Sequence, residues 1–168
     1  MPKIIMNLES RLMEEANRQV LENGYSNTTI RSIATACGVG VGTVYNYFES
    51  KEALLSRYLV AEWTECITAI NAVSTYSDNI VPVLRCIYDR LQVYTRQNHA
   101  LFQDPDAAAS FSNSFNRHRK IVREQLGELL RKFCQDDFTA EFIAENMLIW
   151  TSSHKEFDDL CRLILKLL

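Results

Sequence analysis

An all-α protein, with a small three-helix head joined to a longer helical body, is predicted by three features of this 168-residue chain. Only three prolines and five glycines punctuate it, which favours long helices over many short strands. Apolar residues recur at helical spacing, as in Leu8, Leu12, Ala16 and Val20. Finally, hydroxyl or carboxylate caps and glycine stops fall where those periodic stretches begin and end.

The first helix is expected over roughly Asn7 to Asn23, with Asn23-Gly24 supplying a left-handed stop. After Tyr25-Ser26-Asn27, either Thr28 or Thr29 can cap a short helix that carries Ile30, Ile33 and Ala34 inward and ends at Cys37-Gly38. The turn Gly38-Val39-Gly40 leads into a third helix, from Val41 to a stop near Phe48, with Ser50 as the next cap. The body opens with a long helix from Lys51 to about Val73, whose inward stripe includes Leu55, Leu59, Trp63, Cys66, Ile67 and Ile70. Ser77 or Asp78 then caps a helix that tolerates Pro82 in its first turn and continues through Leu84, Ile87, Leu91 and Tyr94 until Asp104-Pro105 interrupts it. Three more helices are expected, at about Asp106 to Cys134, Thr139 to Trp150 and Glu156 to Leu168. The expected domains are therefore residues 1–50 for the head and 51–168 for the body.

Composition narrows the function classes. Charge interrupts every hydrophobic stretch, and no run approaches the roughly 18 to 20 apolar residues of a membrane span. Met1-Pro2-Lys3-Ile4-Ile5-Met6 lacks the apolar segment and cleavage site of a secretory signal, so the expected compartment is the cytoplasm. Cys37, Cys66, Cys86, Cys134 and Cys161 are widely spaced, without a Cys-x-x-Cys pair, and are read as reduced core residues. His99, His118 and His154 are likewise isolated, so no metal and no cofactor is expected. No nucleophile, base and orienter form a recognisable motif, and no catalytic residue is assigned. The net charge of −3 gives no general attraction to nucleic acid. In the head, Lys3, Arg11, Arg18, Arg31 and Lys51 are matched by Glu9, Glu14, Glu15, Glu22 and Glu49.

The specific signal lies in Thr28-Thr29-Ile30-Arg31-Ser32-Ile33-Ala34, then Gly38-Val39-Gly40-Val41-Gly42-Thr43-Val44-Tyr45-Asn46-Tyr47-Phe48, then Ser50-Lys51-Glu52-Ala53-Leu54-Leu55. Two short helices joined by a glycine turn form a helix-turn-helix, and the second can enter a major groove about 12 Å wide. Val39, Val44 and Phe48 are expected on the core side, while Thr43, Tyr45 and Tyr47 face outward or flank the groove. The whole stretch, roughly Asn7 to Tyr58, resembles the N-terminal signature of the TetR family of regulators. That resemblance implies double-stranded DNA as a partner. It assigns DNA contacts to Arg31, Thr43, Tyr45, Tyr47 and Lys51, and Thr29, Val41, Gly42 and Asn46 complete the candidate set; their chemistry suits Arg31 to guanine or phosphate and Lys51 to a phosphate at its helix start. Gly40 stands where the family usually has a serine-like cap, and Val41 where it often has lysine or arginine. Valine can touch a thymine methyl but cannot read guanine, so an A·T-leaning half-site core is expected.

In the body, Trp63, Tyr88, Tyr94, Phe102, Phe111, Phe115 and His118 are candidate effector-binding residues, with Arg85 and Asp89 as further polar groups. Ordinary core packing accounts for the aromatic residues equally well. Leu160, Leu163, Ile164, Leu167 and Leu168, with Phe142, Ile143, Met147 and Trp150, carry more apolar surface than a small body readily hides. The resemblance implies a homodimer through the last two helices, with recognition helices about 34 to 36 Å apart, and a small-molecule effector that releases a repressor from a palindromic operator. The alternative is a helical interaction protein of the same fold that has lost DNA binding, a reading favoured by the neutral head and by Val41.

Overall fold

The computed structural model describes residues 7–153 and 155–168; the N-terminal stretch 1–6 and His154 lie outside the described residues. Nine α-helices follow one another, and no strand occurs among the described residues. They are α1 (Leu8–Asn23), α2 (Ile30–Ala36), α3 (Val41–Tyr45), α4 (Lys51–Tyr76), α5 (Ile80–Gln97), α6 (His99–Gln103), α7 (Pro105–Leu130), α8 (Asp137–Ser152) and α9 (Phe157–Ile164), with a 3-10 turn at Arg131–Phe133. No described helix is long and apolar enough to cross a membrane.

The chain divides into two compact units, one of residues 7–61 with Asn98–Phe115, the other of Glu62–Gln97 with Asn116–Leu168. In the first, Leu8, Leu12, Ala16 and Val20 form the buried stripe of α1 that the fourfold spacing predicts. Ile33, Ala34, Val44, Phe48, Leu54, Leu55, Leu101, Ala107 and Phe111 complete this core. Val39, expected among them, is only half-buried, because it lies in the turn between α2 and α3. In the second unit α5 buries Val83, Leu84, Ile87 and Leu91, α8 buries Ile143, Ala144 and Met147, and α9 buries Leu160 and Ile164. Cys37 and Cys161 are buried, whereas Cys66, Cys86 and Cys134 are half-buried; all five are free thiols.

Several boundaries differ from those expected, each for a local reason. The cap of α5 is Asn79, whose Oδ1 accepts from the Val81 N–H at 2.8 Å. Ser77 instead closes a turn on the Asn79 backbone. Helix α5 stops at Gln97 rather than running on to Asp104, because Asn98 (φ −107°, ψ 9°) departs from helical geometry and its carbonyl starts α6. Helix α9 ends at Ile164, its last buried residue, and tight turns close the chain through Leu167.

Candidate nucleic-acid interface

Three local devices hold the head in shape. Thr29, in extended conformation, caps α2: its hydroxyl accepts from the Ser32 N–H at 3.0 Å, and Ser32 Oγ accepts from the Thr29 N–H at 3.1 Å. This reciprocal box satisfies two backbone donors that the helix start would otherwise leave open. Ser32 Oγ also donates to the buried Gln19 side chain at 2.5 Å, which ties α2 to α1. At the far end of α2 the chain reverses at Gly38 (φ 70°). The Val39 N–H reaches Ala34 O at 2.9 Å and the Gly38 N–H reaches Thr35 O at 3.1 Å, the paired bonds of a Schellman stop. The positive φ is why glycine stands there. Ser50 caps α4 by accepting from the Ala53 N–H at 3.0 Å.

Helix α3 has no side-chain cap, since Gly40 offers none. It is anchored by Val44, fully buried, with Phe48 just beyond. The opposite surface is Gly42, Tyr45, Asn46 and Tyr47, all exposed, with Val41 and Thr43 half-buried. Tyr45 is 53% and Tyr47 46% exposed, and the Tyr47 ring lies 6.4 Å from that of buried Phe48. A side chain at Gly42 would meet nothing within 4 Å, so the fold itself does not demand glycine there.

A groove of about 560 Å³ brings together Thr29, Arg31, Val41, Tyr45 and Lys51 from the sequence-based set. Ser26, Thr28, Ile30, Glu49, Ser50 and Glu52 line it as well. The two glutamates were not among the candidates, and only their positions beside Ser50 and Lys51 hint at the role. Gly42, Thr43, Asn46 and Tyr47 lie on α3 or just after it, outside that groove.

The cations of the head are mostly committed. Arg18 pairs with Glu15 at 2.6 Å and Glu22 at 2.5 Å, and Arg57 with Glu9 at 3.1 Å. Arg11 donates to Cys37 O at 3.3 Å. Lys51 is half-buried: its ammonium donates to Tyr25 O at 2.8 Å and lies 3.6 Å from the centroid of the Tyr25 ring. Burial holds its pKa below the ordinary lysine value. Among the described residues of the head, Arg31 alone is a cation that no carboxylate or carbonyl engages. It is exposed, on the first turn of α2.

Tyr25 is the hub beneath the groove. Its hydroxyl bonds Glu52, its N–H donates to Asp104 Oδ2 at 3.3 Å, and its ring packs edge-on against Phe111 at 5.6 Å. Burial, followed by the Glu52 contact, pushes the phenol up to about 12. Asp104 also caps α7 through the Asp106 and Ala107 N–H groups.

The seven candidate effector residues sort into three groups. Phe102, Phe111 and Phe115 belong to the first unit, with ring centroids 5.6 Å apart for Phe102 and Phe115 and 5.0 Å for Phe111 and Phe115. Trp63, Tyr94 and His118 meet in the second unit, the Trp63 and Tyr94 rings at 5.9 Å and the Tyr94 hydroxyl 2.7 Å from His118 Nε2. Tyr88, also in that unit, packs edge-on against Phe157 at 5.4 Å and donates to Lys155 O at 2.5 Å. Arg85 lies 3.6 Å from the Phe157 centroid and pairs with Asp158 at 3.1 Å, while Asp89 is exposed.

An all-helical chain whose head joins two short helices through a glycine turn has the form of a helix-turn-helix protein. Residues 12–58 match the family described as bacterial regulatory proteins, tetR family. The chain is similar to the HTH-type transcriptional repressor DhaR of Mycobacterium sp. (strain GP1), with 36% identity over 87 residues, 52% of this chain and 41% of DhaR. It is similar to the HTH-type transcriptional regulator UidR of Escherichia coli (strain K12), with 22% identity over 130 residues, 73% of this chain and 66% of UidR. The matched stretch thus spans less than two thirds of either relative. The fold is that of a transcriptional regulator from Aquifex aeolicus VF5, with a TM-score of 0.70 and 17% identity over 94% of this chain and 95% of that one. The family likeness thus rests on residues 12–58, a little over a quarter of the chain, and the likeness of the remainder is one of fold.

Proposed function

We propose that the chain is a homodimeric repressor that binds a palindromic operator in double-stranded DNA through residues 1–50 and is released when a small molecule binds within residues 51–168. The observation that carries this reading is the outward face of α3, where Gly42, Tyr45, Asn46 and Tyr47 stand exposed over a buried Val44. The exposed parts of these rings and the Asn46 amide suit sugar, phosphate and thymine-methyl contacts. Val41 and Gly42 approach the bases, Thr29, Thr43, Tyr45, Asn46 and Tyr47 flank them, and Arg31 supplies the head's uncommitted positive charge. Lys51 acts differently from a free phosphate ligand: pinned on Tyr25, it holds the start of α4 in register, and any phosphate bond comes from the ammonium face left over. The half-site core leans to A·T. Such a regulator works in the cytoplasm.

The dimer rests on an apolar stripe along α8, where Phe138, Phe142 and Ile149 are exposed at helical spacing. Within that stripe Glu145 is neutralised by Arg119 at 3.4 Å and Arg123 at 3.7 Å. Leu163 and Leu167, in the last helix and the turn that follows, are exposed as well.

Selection of bound duplexes from a random library tests the reading. An enriched palindrome with A·T pairs under Val41 and Gly42 is the expected outcome, and a folded protein that enriches nothing refutes operator binding. The neutral head favours one rival, a protein-binding module of the same fold. Salt separates the two, since log affinity for DNA falls with log salt at about −0.9 per phosphate neutralised, and a protein contact need not follow that slope.

A further inference from the structure

The interior of the second unit contains an unusual convergence of polar atoms. Trp63 of α4 and Tyr94 of α5 are 3% and 5% exposed, yet each points a hydrogen-bonding group at a side chain of α7. The Trp63 Nε1–H donates to Gln125 Oε1 at 2.6 Å, and the Tyr94 hydroxyl bonds His118 Nε2 at 2.7 Å. His118 and Gln125, seven residues apart, share one face of α7, and both are half-buried. The cluster therefore runs from a dry aromatic floor to a rim that reaches solvent.

Its charge is equally distinctive. Among the described residues no charged side chain is buried, and the buried polar side chains of this unit are Ser74 and Thr151. Thr151 spends its hydroxyl on the Met147 and Leu148 carbonyls of its own helix. Arg119 and Arg123 are turned to Glu145, and Arg85 to Asp158. Burial lowers the His118 pKa, so the imidazole stands neutral at neutral pH. An ion entering this interior would lose its hydration, and no buried charged side chain among the described residues would compensate it, a transfer strongly opposed at low dielectric.

We propose that the molecule the body receives is uncharged, carries an aromatic or other flat ring, and bears a hydroxyl or carbonyl that exchanges bonds with Trp63, Gln125, Tyr94 and His118. This rests on the reading of the body as effector-binding. The ring stacks on the Trp63 and Tyr94 floor. The polar group replaces one of the two interhelical bonds when the ligand parts them, since a donor or acceptor left bare in that interior would oppose binding.

The test compares three probes of one shape on the full chain: 2-naphthol, 2-naphthoate and 2-naphthylmethylammonium, titrated by calorimetry at neutral pH without DNA. The neutral probe is expected to bind at least tenfold more tightly than either ion. Gln125→Ala, with its fold checked by circular dichroism, weakens it at least fivefold, whereas Lys120→Ala, at an exposed position of the same helix, leaves it unchanged. Equal or tighter binding of a charged probe with the same dependence on Gln125 overturns the charge rule while leaving the effector reading intact. Naphthol binding that ignores Gln125→Ala overturns the site, and failure of all three probes to bind overturns the inference as a whole. The effector reading is judged separately, by whether a bound probe releases the selected operator.

Discussion

Arg31 and Lys51 occupy the same groove, and their surroundings give them different duties. Arg31 is exposed and uncommitted, so Arg31→Ala removes a contact to DNA and nothing from the fold. Operator affinity of the dimer, which loses the contact in both heads, is expected to drop at least about 30-fold, from about 1 kcal/mol or more per arginine contact, with the thermal midpoint unchanged. If the lost contact is phosphate, the salt slope of a dimer flattens by about 1.8, twice the single-phosphate value. An unchanged slope with relaxed preference at one base pair assigns Arg31 to guanine instead. Lys51→Met deletes the ammonium bond to Tyr25 O and its cation–π contact. It is expected to lower stability by about 2 to 4 kcal/mol, the combined scale of one charged hydrogen bond and one partly desolvated cation–π pair. Urea unfolding of the two variants separates these duties, and a wild-type midpoint for Lys51→Met would return that lysine to the set of free phosphate ligands. The sequence places both residues at the site but is silent on the difference, because the carbonyl that captures Lys51 belongs to a loop residue 26 positions earlier.

At the scale of elements, what could be read in advance was whatever neighbouring residues decide. The α1 stripe, the Thr29 cap, the Gly38 stop and the Ser50 cap are local signals, and each helix of the head begins within a residue or two of its expected place, though α3 ends at Tyr45, three residues short of the stop expected near Phe48. The break at Asn98 was not legible, since asparagine is a weak helix breaker and the segment from His99 goes with the first unit through long-range packing of Leu101 and Phe111. The same fact separates Phe102, Phe111 and Phe115 from the other candidate effector residues, because helical spacing reports a face and not the neighbour it meets. Local signals make strong local predictions. Gly38→Ala places a Cβ where nothing lies within 4 Å, so its cost comes from the backbone alone at φ 70°. That cost is about 1 kcal/mol, and it falls on the turn that aims α3. Gly38→Ala is therefore expected to weaken the operator complex more than its small loss of stability implies. A variant with wild-type affinity and a lowered midpoint would show that the aim of α3 does not depend on this turn.

For the whole molecule as proposed, affinity for a palindrome depends on two heads acting together, and the apolar stripe on α8 is the surface assigned to pairing. Phe138 is 77% exposed, and Phe142 and Ile149 are each nearly half-exposed. Solvent-facing aromatic and aliphatic residues repeated along one helix form a continuous patch, which a soluble monomer rarely leaves uncovered. A second copy about a two-fold axis covers it with the same stripe, so any substitution there is felt twice. Phe142→Glu places two carboxylates in that interface while Arg119 and Arg123 remain occupied by Glu145. Burying an uncompensated charge costs several kcal/mol, so the dimer dissociation constant is expected to rise at least 100-fold. Because Phe142 is exposed within its own chain, the monomer keeps its fold, which circular dichroism checks alongside sedimentation. Operator binding should weaken in parallel and become second order in protein concentration. If Phe142→Glu sediments as the wild type does, the α8 stripe is not the pairing surface; if the wild type is itself a monomer at micromolar concentration, palindromic recognition by a preformed dimer fails with it.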